Sequence, residues 1–161
     1  MTIQHFEKTE RLSRVVVHAN VAYFSGLTAA CRNQDVVGQT QQILAKADAL
    51  LEQIGSSRAQ LLSATIWLRD IKDFDLMNNA WTSWIDRDAP PARATVQAVL
   101  GLPDILIEIQ FTAAIPACPL GLTRFLTYRG RVCFGTGRRR AGASVEAVAG
   151  RYSVDRLRQI G

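Results

Sequence analysis

PPARATVQAVLGLPDILIEI, Pro90–Ile109, holds two charges in unexpected places. Arg93 opens a strand-like run, and Glu108 lies deep inside a second one. Strand interiors exclude charge unless it is paired or used. Alternation puts Arg93, Thr95 and Gln97 on one face of the first run and Ala94, Val96 and Ala98 on the other. In the second run Leu106, Glu108, Gln110 and Thr112 share a face, and Ile105, Ile107, Ile109 and Phe111 form the apolar one. The pattern predicts strands over 94–100 and 105–112, joined as a hairpin at GLPD. Helices would cover the apolar faces, leaving Arg93, Thr95 and Glu108 on the bare side. Such a hairpin opposes Arg93 with Thr112 and Glu108 with Gln97, so the two charges stand about 13 Å apart along the strands. That separation argues against a direct Arg93–Glu108 salt bridge inside the hairpin, the structural reading of the two charges. Spacing alone leaves a structural role and a catalytic one open.

Upstream of this stretch, RDAPPA ends a helix, as two prolines must. That helix, DFDLMNNAWTSWID, carries Phe74, Met77, Trp81 and Trp84 at three- and four-residue steps. LLSATIWLRD before it reads as a buried strand. Between Asp35 and Gly55 apolar residues recur at helical spacing, with Asp35 as N-cap and Gly55 as stop. RVVVHANVAYFSG reads as a β-hairpin turning at Ala19-Asn20. Residues 3–9 are an edge-strand candidate. The order is hairpin, helix, strand, helix, strand, strand: an α+β (α/β-like) layer with two helices on one face of a sheet.

The 161 residues are 48% hydrophobic and 20% charged, the balance of a soluble globular protein. No apolar run reaches the ~18 residues needed to span a bilayer. The start is too polar for a secretory signal peptide, so the cytoplasm is the expected location. Three cysteines in irregular spacing and two histidines outside any ligand pattern give no reason to expect a disulfide framework or a metal site.

The net charge of +5 is unevenly placed. Residues 118–161 hold nine arginines against one Asp and one Glu, and residues 1–117 hold ten basic against twelve acidic residues. Residues 1–117 read as one domain with no footprint for nucleic acid. Residues 118–161 read as an Arg/Gly-rich extension, accessory or non-native, with weak helix over SVEAVAGRYSVDRLRQI.

APPARATVQAVLGLPDILIEIQFTA resembles the C-terminal signature of the reactive-intermediate deaminase family, also called RidA or YjgF-like. That signature runs Pro-Ala-Arg, alternating small and apolar residues, then Ile-Glu-Ile about fifteen residues on. Upstream, YFSG is similar to the family's strand-end Ser-Gly, and IWLRDIKDFDLMNNAW to its stretch with Asp70, Asp73, Phe74 and Asn78. The resemblance covers about residues 10–115.

It implies a chorismate-mutase-like mixed sheet with two helices on one face. Three copies would associate through the other face, forming clefts between subunits. It implies cofactor-independent hydrolysis of 2-imino or enamine acids to 2-keto acids and ammonia. Arg93 would bind the substrate carboxylate, and Glu108 would orient the attacking water. Ser25, Gly26, Asn78 and Thr95 would complete the cleft. An imine carbon is already electrophilic, so holding it beside a placed water is most of the task. Thr95 replaces a frequent cysteine, RLSRVV lacks a frequent tyrosine, and Leu27 replaces a frequent glutamine. These departures place the chain in a divergent subgroup. An alternative is a non-catalytic trimer that binds small carboxylates or acts as a chaperone. A third reading, RNA binding or cleavage, would lean on the basic extension.

Overall fold

The computed structural model describes residues 2–116. The extension at 118–161, with its expected helix and with Cys118 and Cys133, lies outside the described residues. The strands are β1 (Gln4–Lys8), β2 (Ser13–His18), β3 (Val21–Phe24), β4 (Leu61–Leu68), β5 (Ala92–Gln97) and β6 (Ile107–Ala114). The helices are α1 (Val36–Gln53) and α2 (Phe74–Trp84). The edge strand, the first hairpin, both helices and the buried strand form where periodicity places them. Ala19 and Asn20 both take positive φ, 49° and 64°, as a two-residue turn matching strand twist requires. The Asp35 carboxylate accepts from the Gly38 N–H at 2.8 Å and starts α1.

The sheet order is β1-β2-β3-β6-β4-β5. β5 runs parallel to β4, and β6 pairs antiparallel with both β3 and β4. The hairpin expected at GLPD is therefore absent. The link from Gln97 to Ile107 instead crosses the end of β4 and delivers β6 to its other edge. Hydrogen bonds hold that crossing: Ala98 N–H donates to Leu68 O and Arg69 N–H to Leu106 O, each at 2.9 Å. Gln39 has 0% exposure; its amide donates to Asp104 O, and its oxygen accepts from Leu106 N–H. A buried amide satisfied this fully ties the crossing to α1.

One face of the sheet packs on both helices through Val15, Ala22, Phe24, Ala64, Ile66, Ile107, Ile109 and Phe111. Phe111 stacks on Trp81 at 6.2 Å between ring centroids. Outside this core, Arg58 joins the two helices. It donates to both Asp48 carboxylate oxygens and to Trp84 O, each at 2.7 Å, while Trp84 Nε1 donates to Asp48 at 3.0 Å.

Burial alone would raise the Asp48 carboxyl, but the hydrogen bonds from Arg58 and Trp84 and the guanidinium charge outweigh it and hold it below its ordinary value. A depressed carboxyl contributes stability above its unfolded value, about 3.9, and loses it as pH falls through the folded one. Asp48→Asn should therefore cost about 1 kcal/mol at pH 7, a modest figure because solvent screens the half-exposed pair. The deficit should shrink toward pH 3. Urea midpoints at both pH values check this, and a deficit equal at both would place the effect in packing.

Candidate functional site

Glu108 sits on the central strand β6, on the face without helices. Its neighbour across β4 is Trp67. β3 ends beside it in an irregular step. Tyr23 registers with Thr112 and Leu27 with Ile109, so the β3 side carries one residue more than β6 between these pairs. Ser25-Gly26 forms this bulge, a device that re-aims side chains at sheet edges and active sites. Leu27 and Ile109 exchange backbone bonds at 2.8 and 3.0 Å and lock its far side. Ser25 N–H donates to Arg14 O at 2.9 Å, and the Gln110 amide donates to Phe24 O at 3.1 Å.

Glu108 lies directly over Gly26. A Cβ at position 26 would overlap its Oε1. Glycine is needed here for close approach rather than for an unusual dihedral angle. The Ser25 hydroxyl is buried beside this pair without a hydrogen-bond partner among the described residues. Buried hydroxyls are ordinarily paired, and an orphan on the residue next to the glycine beneath Glu108 suits a ligand or water. The structure thus brings together three of the residues read from the sequence: Ser25, Gly26 and Glu108.

Arg93 forms a second group. It registers with Ala64 on β4, and Ala64 with Phe111 on β6, both buried under the helices. Arg93 and Thr95 therefore lie on the helix side of the sheet. The expectation that they share the bare face with Glu108 is corrected here. Edge position resolves the conflict: β5 ends the sheet, so the covered face beneath α2 still opens to solvent, and Arg93 is exposed overall. Its guanidinium stands 5.2 Å from the centre of the Trp81 ring and 6.0 Å from that of Phe74. Partial burial draws its pKa below the usual arginine value, although it stays charged. The Thr95 hydroxyl, two residues on, is buried without a partner among the described residues. Asn78 lies between Phe74 and Trp81 on the same stripe of α2, four residues after one and three before the other.

The two groups do not meet within one protomer. Arg93 and Glu108 register with β4 residues three apart, about 10 Å along the strand. They also lie on opposite faces. Among the described residues, neither takes part in an ion pair. The structural salt bridge between them is thereby excluded inside one chain.

Sequence reading missed the partnership of Phe74 and Trp81 with Arg93. The helical stripe carried both rings, but with Arg93 expected on the bare face nothing linked it to them. No group of His, Cys, Asp and Glu able to hold a metal exists among the described residues. Nor does any described helix have the length and apolarity to cross a membrane. Elsewhere, a pocket of about 260 Å³ is lined by Glu7, Arg14, Thr28 and Lys46. Partial burial and the charges of Arg14 and Arg32 lower the Lys46 pKa.

The family model described as Endoribonuclease L-PSP matches residues 2–115. A RutC family protein of Haemophilus influenzae is 42% identical over 114 residues, spanning 70% of this chain and 98% of that protein. The RutC family protein YoaB of Escherichia coli K12 is 41% identical, with 71% and 100% covered. Among solved structures, NMB1025 of Neisseria meningitidis, a member of the YjgF protein family, superposes with a TM-score of 0.70. It is 34% identical, with 73% of this chain and 98% of that one covered. A putative translation initiation inhibitor from Salmonella typhimurium gives a TM-score of 0.66 at 38% identity, covering 71% and 98%. The mixed sheet of six strands with two helices matches these neighbours, and the chain belongs to the RidA/YjgF-like family.

Proposed function

We propose that this protein is a cofactor-independent hydrolytic deaminase, converting reactive 2-imino or enamine acids to 2-keto acids and ammonia. The observation that carries the reading is the pair of half-sites. Among the described residues, one offers an arginine with no carboxylate partner, and the other a carboxylate held against a glycine, with an unpartnered hydroxyl at each. They stand too far apart, and on opposite faces, to serve one small molecule within a protomer.

A site assembled between subunits answers this. The bare face of the sheet carries Tyr23, Trp67 and Val96, and Tyr23 and Val96 are 51% and 46% exposed. Covering it in a homotrimer would bury these side chains and bring the Arg93 group of one protomer to the Glu108 group of its neighbour. Arg93 would then bind the acid end through its planar fork of donors. Glu108 would orient a water toward the adjacent imine carbon. Attack forms the C–O bond as the C=N π bond opens and the nitrogen takes up a proton from the water; transfer of the carbinolamine hydroxyl proton to nitrogen then breaks the C–N bond, releasing ammonia and leaving the keto acid. Ser25, Gly26, Asn78 and Thr95 would line the cleft. The cytoplasm, where amino-acid metabolism generates such imines, is the proposed location.

The name Endoribonuclease L-PSP raises RNA as a substrate, but the net charge of −2 over residues 1–117 weighs against it. We take 1–117 as the functional domain and 118–161 as accessory. The test generates imines in situ with an amino-acid oxidase across a substrate panel. Keto-acid release should be faster with this protein, equally so for a chain ending at Ala117, and light scattering at micromolar concentration should report a trimer. Carboxylate binding without acceleration would favour the non-catalytic alternative. A monomer would sink the interfacial site.

A further inference from the structure

We infer that Phe74 and Trp81 are positioning residues, an aromatic mount that aims Arg93 at its carboxylate; the inference rests on the proposed reading of Arg93. Arginine carries a long, freely rotating side chain, and a binding site must fix it without consuming its donors. Carboxylates usually do the fixing, by hydrogen bonds that occupy those donors. Here no described carboxylate does so. Arg93 makes no side-chain hydrogen bond and no ion pair among the described residues.

What holds it is the π-face of two rings, at 5.2 Å for Trp81 and 6.0 Å for Phe74. A guanidinium over an aromatic face is attracted by the ring quadrupole and keeps its in-plane N–H groups free. The mount is itself rigid. Trp81 is 6% exposed and stacks on Phe111, with 6° between the ring planes. Phe111, Trp81 and Arg93 therefore form a column rising from the central strand through α2 to the edge of the sheet. Phe74, 37% exposed, closes the column from the N-terminal turn of α2. The stack also accounts for a charge on the covered face of a strand: the rings replace part of the lost solvation.

The consequence is a division of labour. The rings govern how well the acid end is bound and leave the attack of water on the imine alone. Phe74→Leu should raise KM for a 2-imino acid, and the dissociation constant of the corresponding 2-keto acid measured by calorimetry, by about three- to tenfold. It should leave kcat within about twofold. Phe74→Tyr keeps a π-face and should restore both constants. Trp81→Phe, a gentler change in the core, should raise them by a smaller factor. Unchanged KM and keto-acid affinity in Phe74→Leu, at an unaltered melting temperature, would overturn the inference. So would equal losses in Phe74→Leu and Phe74→Tyr, or a fall in kcat alone. Failure of the underlying reading is separate: it appears as full activity in an Arg93 variant, whatever Phe74 does.

Discussion

Arg93→Lys should lower kcat/KM for 2-imino acid hydrolysis by roughly 30- to 1,000-fold, about 2–4 kcal/mol, while fold and assembly persist. Lysine keeps the charge but loses the flat two-donor fork and the planar stacking on Trp81 and Phe74. Arg93 is an edge-strand residue with no ion pair to break among the described residues, so folding should be indifferent to the change. Kinetics with oxidase-generated imines, beside light scattering and a thermal melt, separate the outcomes. Wild-type turnover by the variant would refute the deaminase assignment of this site. Loss of the trimer or of the fold would instead return Arg93 to a structural role.

Gly26→Ala should reproduce the damage of Glu108→Gln without touching the carboxylate chemically. The new methyl would occupy the place of Glu108 Oε1, and the flexible end of that side chain must swing away. Stability should change little, since a rotating carboxylate yields more cheaply than backbone. Activity should not be spared. A carboxylate that positions or deprotonates water contributes on the order of 100-fold, and misplacement forfeits most of it. Both variants should lower kcat more than they raise KM. The double variant should be no worse than either single one, because residues acting as one unit are not additive. Full kcat in Gly26→Ala would remove Glu108 from the chemistry.

Local chemistry determined most of the elements. Ala19-Asn20 turns a hairpin because both residues occupy left-handed dihedrals, which asparagine tolerates. Asp35 caps α1, and the apolar stripes of α1 and α2 face the core for the reason that makes any amphipathic helix do so. The family resemblance named Ser25, Gly26 and Glu108 together with Arg93, Asn78 and Thr95 as lining one cleft; the bulge that sets Gly26 beneath Glu108 is a local feature of two paired strands.

Strand partnership was a different matter. Alternation along 90–109 gives two sets of side chains per strand, but it does not say which set meets the helices. Apolarity pointed to Ala94 and Val96 as the covered set, and GLPD suggested a turn between neighbours. In the folded chain β6 lies between β3 and β4, so β5 and β6 never pair. Register with Ala64 then turns Arg93 inward beneath α2. A charge can occupy that face because β5 is an edge strand and because two rings from α2 receive the guanidinium. Sequence periodicity records only the parity of a strand. The side to which that parity points is set by non-local hydrogen bonding, and only the tertiary structure decided it.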